Sequence, residues 1–184
     1  MKNIKIILVD DHIVLRNGLK LLLESEQNIS IVGEASSYSE LKTILQQTPT
    51  DILLLDLSIP DKHGLEIIKE LKDSNVNFKI LVFTMHSEEQ YIKSAMSAGA
   101  SGYVEKSALD TELLTAINTV AQGNIYLNSK NALLMVNSLL NTTETNDPYA
   151  LFSNRELEVM KFMVHGYSLS EIGQQLCLSL KTID

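Results

Sequence analysis

Short apolar runs alternate with helical stripes over the first two-thirds of the chain. The runs are rich in Ile, Val and Leu and show little apolar–polar alternation, which is typical of strands that are covered on both faces. Five such strands are predicted, at Ile4–Val9, Ile29–Ala35, Ile52–Leu55, Ile80–Phe83 and Gly102–Val104.

Between these runs, apolar residues recur every three or four positions, which predicts amphipathic helices. The two longest stripes are Leu15, Leu19, Leu22 and Leu23, and Leu113, Ile117, Val120 and Ala121. Shorter stripes begin at Leu41, Leu65 and Tyr91. Five strands that alternate with five helices predict an α/β fold over residues 1–122, a doubly wound five-stranded parallel sheet with right-handed crossovers.

The pattern changes after residue 122. Residues 123–150 are predicted to form a linker with one short helix, whose apolar stretch Ala132–Leu140 places Leu133, Val136 and Leu140 on one side. A second, small all-α domain is expected over residues 151–184, where Ser153 and Glu156 have the spacing of a capping box at a helix start.

Composition narrows the class of protein further. The net charge of −8 gives no support for non-specific binding to nucleic acid or membranes, since both need positive surface. Charged or polar residues interrupt every apolar run before it reaches the length of a membrane span. The single cysteine, Cys177, cannot form an internal disulfide. These features predict a cytoplasmic protein with no membrane partner.

Polar residues follow four of the predicted strands at their carboxyl ends, the edge where open α/β sheets bind ligands. They are Asp10, Asp11, Asp56, Thr84 and Lys106. Crowded carboxylates repel one another, and Mg²⁺ would relieve that repulsion because it prefers oxygen ligands. A carboxylate beside a cation, a hydroxyl and an ammonium group can accept a phosphoryl group, so Asp56 is a candidate nucleophile.

Each of these residues alone has an ordinary structural explanation. A lone Asp or Thr at a strand end most often caps a helix or lies in a solvated turn, and a lone Lys is usually a surface charge. Asp10 and Asp11 could cap the following helix and still bind a metal. Joint occurrence at successive strand ends favours a shared site.

Four segments carry a resemblance to a known family. They are VDDH (Val9–His12), LLLDLSIPDKHG (Leu53–Gly64), LVFTMH (Leu81–His86) and SGYVEKS (Ser101–Ser107). The first two-thirds of the chain resembles a response-regulator receiver domain, which implies a flavodoxin-like fold. The whole chain resembles the NarL/FixJ family, in which the receiver is followed by a LuxR-type helix-turn-helix.

The resemblance implies roles for individual residues. Asp56 would be the phosphoacceptor, while Asp11 and Asp56 would bind Mg²⁺ directly, Asp10 through water and Ser58 through its backbone carbonyl. Thr84 and Lys106 would stabilise the phosphoryl group.

The resemblance also implies a conformational switch and residues that set the lifetime of the phosphoaspartate. Thr84 and Tyr103 would move together on activation, and Ser58 and His86 would influence how fast the phosphoaspartate hydrolyses. His86 is otherwise expected to be a surface histidine. In the Pro60-to-Gly64 turn, Gly64 is expected to relieve backbone strain.

The segment Ser153–Asp184 resembles the beginning of a helix-turn-helix, of which only the first residues of the recognition helix are present. Lys181 and Thr182 are its candidate DNA contacts. From Leu151 onward there are three basic residues against four acidic ones. Weak or absent DNA binding is therefore expected for these 184 residues, and promoter binding for the complete protein.

Three functions remain in view at this point. The leading one is a two-component transcription regulator that a sensor histidine kinase phosphorylates on Asp56, with dimerisation as the consequence. The second is a phosphorylation-dependent switch that binds a protein partner and no DNA. The third, a nucleotide enzyme, lacks the glycine-rich loop after the first strand. In the first two functions, chemistry at Asp56 is limited to self-phosphorylation and self-dephosphorylation. No enzyme activity on an external metabolite is therefore expected.

Overall fold

The computed structural model describes residues 3–108 and 110–140, with side chains up to Asn137, and the single positions Val159 and Leu176. The strands are β1 (Ile4–Val9), β2 (Ile29–Ala35), β3 (Ile52–Leu55), β4 (Lys79–Thr84) and β5 (Gly102–Glu105). The helices are α1 (Ile13–Glu24), α2 (Tyr38–Gln47), α3 (Gly64–Asp73), α4 (Glu89–Ala98), α5 (Asp110–Ala121) and α6 (Ser129–Leu140).

All five strands are parallel and lie in the order β2-β1-β3-β4-β5. Successive side chains of each strand enter different cores, as the two-residue period of a strand requires. Ile7 and Leu53 pack with α2, α3 and α4, whereas Ile6 and Leu54 pack with α1 and α5. The predicted doubly wound parallel sheet is therefore confirmed.

The predicted limits of β1, β2 and β3 agree with the structure, and β4 and β5 are slightly longer than predicted. Lys79 and Thr84 extend β4 at its two ends because both stay in register with the neighbouring strands. Glu105, opposite Thr84, extends β5 by one residue. Polar side chains at strand ends are compatible with the ladder because its hydrogen bonds come from the backbone.

The chain divides into two compact units, Met1–Leu139 and Leu140–Asp184. The first unit includes nearly all of α6, which the sequence analysis assigned to a linker. Apart from Val159 and Leu176, the predicted helix-turn-helix lies outside the described residues, and so do its candidate DNA contacts Lys181 and Thr182. Within the described part of the chain, no helix combines the length and apolar character needed to span a bilayer.

Candidate functional site

Strand register brings the predicted site residues to one edge of the sheet. Val9 lies opposite Leu55 at the ends of β1 and β3, so Asp10 and Asp56 are neighbours just beyond them. The backbone N–H of Asp56 donates to the carbonyl of Val9 over 2.9 Å. On the other side of β3, the backbone N–H of Lys106 donates to the carbonyl of Thr84 over 2.7 Å. The backbone of Lys106 therefore lies beside the end of β4.

A buried lysine joins two of the carboxylates. Lys106 Nζ lies 2.6 Å from Asp56 Oδ2 and 2.6 Å from Asp10 Oδ2. The side chains are 3% exposed for Lys106, 4% for Asp10 and 3% for Asp56. Burial alone would lower the pKa of Lys106, but its interactions with Asp56 and Asp10 outweigh burial and raise that pKa. The ammonium group is therefore held in its charged form between two acids.

Carboxylate oxygens and one imidazole form a compact donor set beside this lysine. Asp10, Asp11, His12 and Asp56 each offer one atom, and these atoms all lie within 4.8 Å of one another. Three carboxylates with one lysine leave an excess of negative charge, which suits a hard divalent cation such as Mg²⁺. His12 was not among the predicted metal ligands, and its Nδ1 lies 2.8 Å from Asp11 Oδ1.

The turn after β1 is shaped around Asp10. The backbone N–H of His12 donates to Asp10 Oδ1 over 2.8 Å, and this hydrogen bond stabilises the turn that begins at Asp10. His12 stands at the N-cap of α1 and makes no side-chain cap hydrogen bond. The helix-capping explanation for Asp10 and Asp11 is thus replaced by a turn that aims the acids at Asp56.

Two polar groups near Asp56 complete the arrangement. The backbone N–H of Ser58 donates to Asp56 Oδ1 over 3.2 Å. Thr84 is fully buried, and among the described residues its Oγ1 has no hydrogen-bond partner. A buried hydroxyl usually has a partner, so this one is available to a group that arrives beside Asp56.

Two protein families match the chain. Residues 6–118 match the response regulator receiver domain, and residues 150–184 match the bacterial regulatory proteins of the luxR family. The chain belongs to the response-regulator family. It is a two-component response regulator in which a receiver is followed by a LuxR-type DNA-binding domain, as the resemblance implied.

Full-length relatives share both parts of this response regulator. The oxygen regulatory protein NreC of Staphylococcus carnosus is 34% identical over 98% of this chain and 86% of the relative. The response regulator UvrY of Escherichia coli is 36% identical over 98% of this chain and 83% of the relative. A structure of RcsB from Salmonella enterica serovar Typhimurium, bound to promoter P1flhDC in the presence of the phosphomimetic BeF₃⁻, covers 99% of this chain and 87% of its own, with a TM-score of 0.70 and 25% identity.

These matches choose among the functions left open by the sequence. The family is regulatory, which favours a regulator over a nucleotide enzyme. The LuxR match over residues 150–184 favours a DNA-directed output over a switch that binds protein alone.

In this response regulator, Gly64 at the start of α3 lies close to the backbone of Asp56 and Leu57. The Cβ that any other residue would add at Gly64 would lie 2.5 Å from Leu57 Cα and 3.0 Å from the carbonyl oxygen of Asp56. Gly64 does not have a positive φ. Close approach of α3 to the Asp56 backbone, and not relief of backbone strain, is therefore the reason for glycine at this position.

In this response regulator, hydrogen bonds link the predicted switch residue Tyr103 with Ser58 and His86, the residues predicted to influence phosphoaspartate hydrolysis. Tyr103 is fully buried, and its hydroxyl donates to the backbone carbonyl of His86 over 2.9 Å. His86 Nε2 lies 3.0 Å from Ser58 Oγ, and its ring stacks on Tyr91 with centroids 4.1 Å apart. The expectation that His86 is a plain surface histidine is therefore wrong, because the ring is held between two loops and α4.

Two further residues support the site and were missed by the sequence analysis. Arg16 on α1 donates to the backbone carbonyl of Asp10 and has its Nε 3.5 Å from Glu34 Oε2 at β2. Asp61 in the loop after β3 accepts hydrogen bonds from the backbone N–H groups of Tyr38 and Ser39, over 2.6 and 2.8 Å. Arg16 binds a backbone carbonyl just before its own helix, and Asp61 binds backbone N–H groups of a distant segment. Neither backbone contact is revealed by the pattern of side chains along the sequence.

Proposed function

We propose that Asp56 accepts a phosphoryl group from a sensor histidine kinase. An Asp56 carboxylate oxygen forms a bond to phosphorus while the bond from phosphorus to the donor nitrogen breaks, and the electron pair leaves with the donor histidine. The observation that carries this proposal is the buried arrangement of Asp56 with Lys106 at 2.6 Å and the unpartnered Thr84 hydroxyl.

Lys106 and Thr84 have complementary roles in this step. The charged Lys106 would neutralise developing charge on the phosphoryl oxygens, since it already lies between Asp56 and Asp10. The Thr84 hydroxyl would donate a hydrogen bond to one of these oxygens and so gain a partner, of which it has none among the described residues. The Ser58 N–H, which now donates to Asp56, would help to orient the carboxylate.

The carboxylates would hold Mg²⁺ as the cofactor of this reaction. Asp11 and Asp56 would bind the ion directly, Asp10 through water, and Ser58 through its backbone carbonyl. The bound ion would offset charge between the attacking carboxylate and the incoming phosphoryl group. The spacing of the donor atoms, within 4.8 Å, supports this assignment for Asp10, Asp11 and Asp56.

Phosphorylation would then be read through Thr84 and Tyr103. Movement of Thr84 toward the phosphoryl group would pull on the loop that contains His86, whose carbonyl accepts the Tyr103 hydrogen bond. Ser58 and His86, which contact each other beside Asp56, would tune how water reaches the phosphoaspartate. The expected outputs are a homodimer and promoter binding by the LuxR-type domain, with Lys181 and Thr182 among its DNA contacts.

Labelling with a small-molecule donor tests this function. Acetyl phosphate with Mg²⁺ is expected to add one phosphoryl mass increment to the intact chain, and removal of Mg²⁺ by a chelator is expected to prevent it. Asp56→Asn should abolish the increment, whereas Asp73→Asn, an exposed carboxamide control at the end of α3, should leave it unchanged. Equal labelling of Asp56→Asn and the unaltered chain would contradict the proposal.

A further inference from the structure

The segment that follows α5 adds a short strand-like contact to the edge of the sheet. Tyr126 forms a parallel bridge with Gly102 in β5. The N–H of Tyr126 donates to the carbonyl of Ser101 over 3.1 Å, and the N–H of Tyr103 donates to the carbonyl of Tyr126 over 3.0 Å. We call this contact the Tyr126 bridge. It pairs backbone groups that an edge strand would otherwise leave open.

Tyr103 takes part in both this bridge and the functional site. Its hydroxyl donates to the carbonyl of His86 in the loop that follows Thr84, and its backbone N–H donates to Tyr126. The side chain is fully buried, so the ring cannot shift without moving the protein atoms that pack around it. One residue thus connects the loop beside Asp56 with the segment that leads to α6.

Glu112 on α5 anchors the same segment. Asn128 Nδ2 lies 3.4 Å from Glu112 Oε1, and Asn128 Oδ1 accepts from the backbone N–H of Asn131 over 2.9 Å, which caps the start of α6. Burial and the nearby charge of Glu112 raise the pKa of Tyr126, so its phenol stays neutral beside the carboxylate. The start of α6 is therefore fixed to α5 and to β5 by polar contacts.

The docking of α6 itself is weak. Only Leu134 and Met135 among the described side chains of α6 pack against the buried core, whereas Leu133 is 61% and Val136 50% exposed. Asn131 is 0% exposed, and neither its Nδ2 nor its Oδ1 has a hydrogen-bond partner among the described residues. A buried amide without partners opposes burial, so this helix is docked at a cost that the small apolar contact must offset.

We propose that α6 is a releasable helix, docked on the unmodified receiver and freed when phosphorylation of Asp56 displaces Tyr103 and opens the Tyr126 bridge. The inference rests on the proposed function, because it takes Asp56 as the phosphoacceptor. Release lets the Asn131 amide reach water, which offsets the contacts that Leu134 and Met135 lose. The signal would thus leave the receiver through the edge of β5 and enter the segment that precedes the LuxR-type domain.

Hydrogen exchange on the full 184-residue chain tests the release. Beryllofluoride with Mg²⁺ is expected to lower the protection of amides in residues 124–140 by about tenfold, while the amides of β1 and β3 keep theirs. Intact-mass detection of acetyl phosphate labelling is run on the same preparation. Labelling without any change in residues 124–140 would overturn the release and leave the proposed function standing, whereas absence of labelling would overturn both.

Two variants separate this mechanism from general loosening. Asn131→Leu replaces the unpartnered amide with an apolar side chain of similar size, and it should raise the thermal midpoint and reduce the exchange response to beryllofluoride. The matched control Asn137→Leu makes the same change at an exposed position of α6 and should do neither. A lower midpoint for Asn131→Leu, or an unchanged response, would overturn the inference.

Gly102→Ala strains the bridge from a position outside the site. The added Cβ would lie 3.0 Å from the carbonyl oxygen of Tyr126 and 2.9 Å from Leu81 Cδ1, so the Tyr126 backbone or the Leu81 side chain must shift. Exchange in residues 124–140 should then be fast before any phosphorylation, with labelling at Asp56 retained. Normal protection of these residues in Gly102→Ala would count against the bridge as the element that holds α6.

Discussion

Two lysines of this response regulator pair with carboxylates, one in the interior and one at the surface. Lys106 lies between Asp56 and Asp10, with all three side chains at most 4% exposed. Lys62 contacts Glu70, with side chains 23% and 46% exposed, and lies 4.7 Å above the ring of Tyr38. Each lysine ties a loop to its neighbours, but only the first does so without access to water.

The difference shows where the chain has no substitute for a lost partner. At the surface, water and salt can replace Lys62 as the partner of Glu70. In the interior, water has no access, so the charge of Asp10 and Asp56 must be offset within the protein, by Lys106 and by any cation that enters the donor set. The site is therefore expected to be sensitive to substitution and to attract positive charge, as the proposed acceptance of a phosphoryl group beside Mg²⁺ would need.

Removal of each lysine charge tests this contrast and has the largest expected effect. Lys106→Met should lower the free energy of unfolding by about 3–5 kcal/mol, because two buried carboxylates lose their partner. Mg²⁺ should restore part of the loss. Urea unfolding with and without Mg²⁺ measures both quantities. Lys62→Met is the matched control, for which a small loss with no response to Mg²⁺ is expected; equal losses in the two variants would remove the contrast.

The alkaline limb of stability follows from the same lysine. The pKa of Lys106 is raised in the folded state above its ordinary value of 10.5. Its contribution is thus complete below that value and is lost as the pH rises through the folded pKa. Urea unfolding at neutral and alkaline pH should show a smaller alkaline loss in Lys106→Met, where Tyr103 and Tyr126, whose pKa values are raised by burial, still contribute.

Thr84→Val should shift stability in the opposite direction. Valine keeps the shape of the side chain and removes a buried hydroxyl without a partner, so the free energy of unfolding should rise by about 1 kcal/mol. Labelling by acetyl phosphate should slow, since the hydroxyl no longer reaches the phosphoryl group. Thr115→Val on α5, where the hydroxyl donates to the carbonyl of Thr111 over 2.7 Å, is the control and should bring no gain. A loss of stability in Thr84→Val would mean that the hydroxyl is satisfied.

Asp61→Ala is expected to have the smallest effect, about 1 kcal/mol, since it removes a cap from the start of α2. Burial alone would raise the pKa of Asp61, but hydrogen bonds from the N–H groups of Tyr38 and Ser39 outweigh it and lower that pKa. The contribution is therefore present above the ordinary value of 3.8 and disappears as the pH falls through the folded pKa. Urea unfolding at neutral and acid pH checks this; Asp73→Ala should show no such pH dependence.

Strand positions could be predicted because the sheet is covered on both faces. Unbroken apolar runs mark the strands, and their order along the chain gives the parallel topology. The ends of β4 and β5 were too short in the prediction because Lys79, Thr84 and Glu105 are polar, although their backbone groups continue the ladder. The pattern of apolar side chains predicts which residues are buried, but backbone pairing between strands can continue past the last buried residue.

The site was predictable for a related reason. Asp10 and Asp56 each follow a strand and Thr84 is the last residue of one, and parallel strands present their carboxyl ends at one edge. Arg16 and Asp61 were not predictable, because both bind backbone groups, and such contacts leave no trace in the spacing of residue types. The contact of His86 with Ser58 and Tyr91 likewise depends on how two loops meet.

Helical periodicity also left the docked side of α6 undecided. The apolar positions Leu133 and Val136 share a side, as predicted, yet both are largely exposed. The core contacts come from Leu134 and Met135, and the fully buried residue of the described part of this helix is Asn131. A pattern of period 3.6 defines a face, but the choice of partner depends on the surface that the rest of the chain offers.

The Tyr126 bridge has a consequence for how this protein is divided for study. An excised receiver that ended at residue 122 would expose the N–H of Tyr103 and the carbonyl of Ser101 along the margin of the sheet. Unsatisfied strand margins recruit strands from other molecules, so such a fragment would tend to self-associate for reasons unrelated to signalling. Extending the fragment through residue 128 retains Tyr126 and keeps this margin closed in the unmodified receiver.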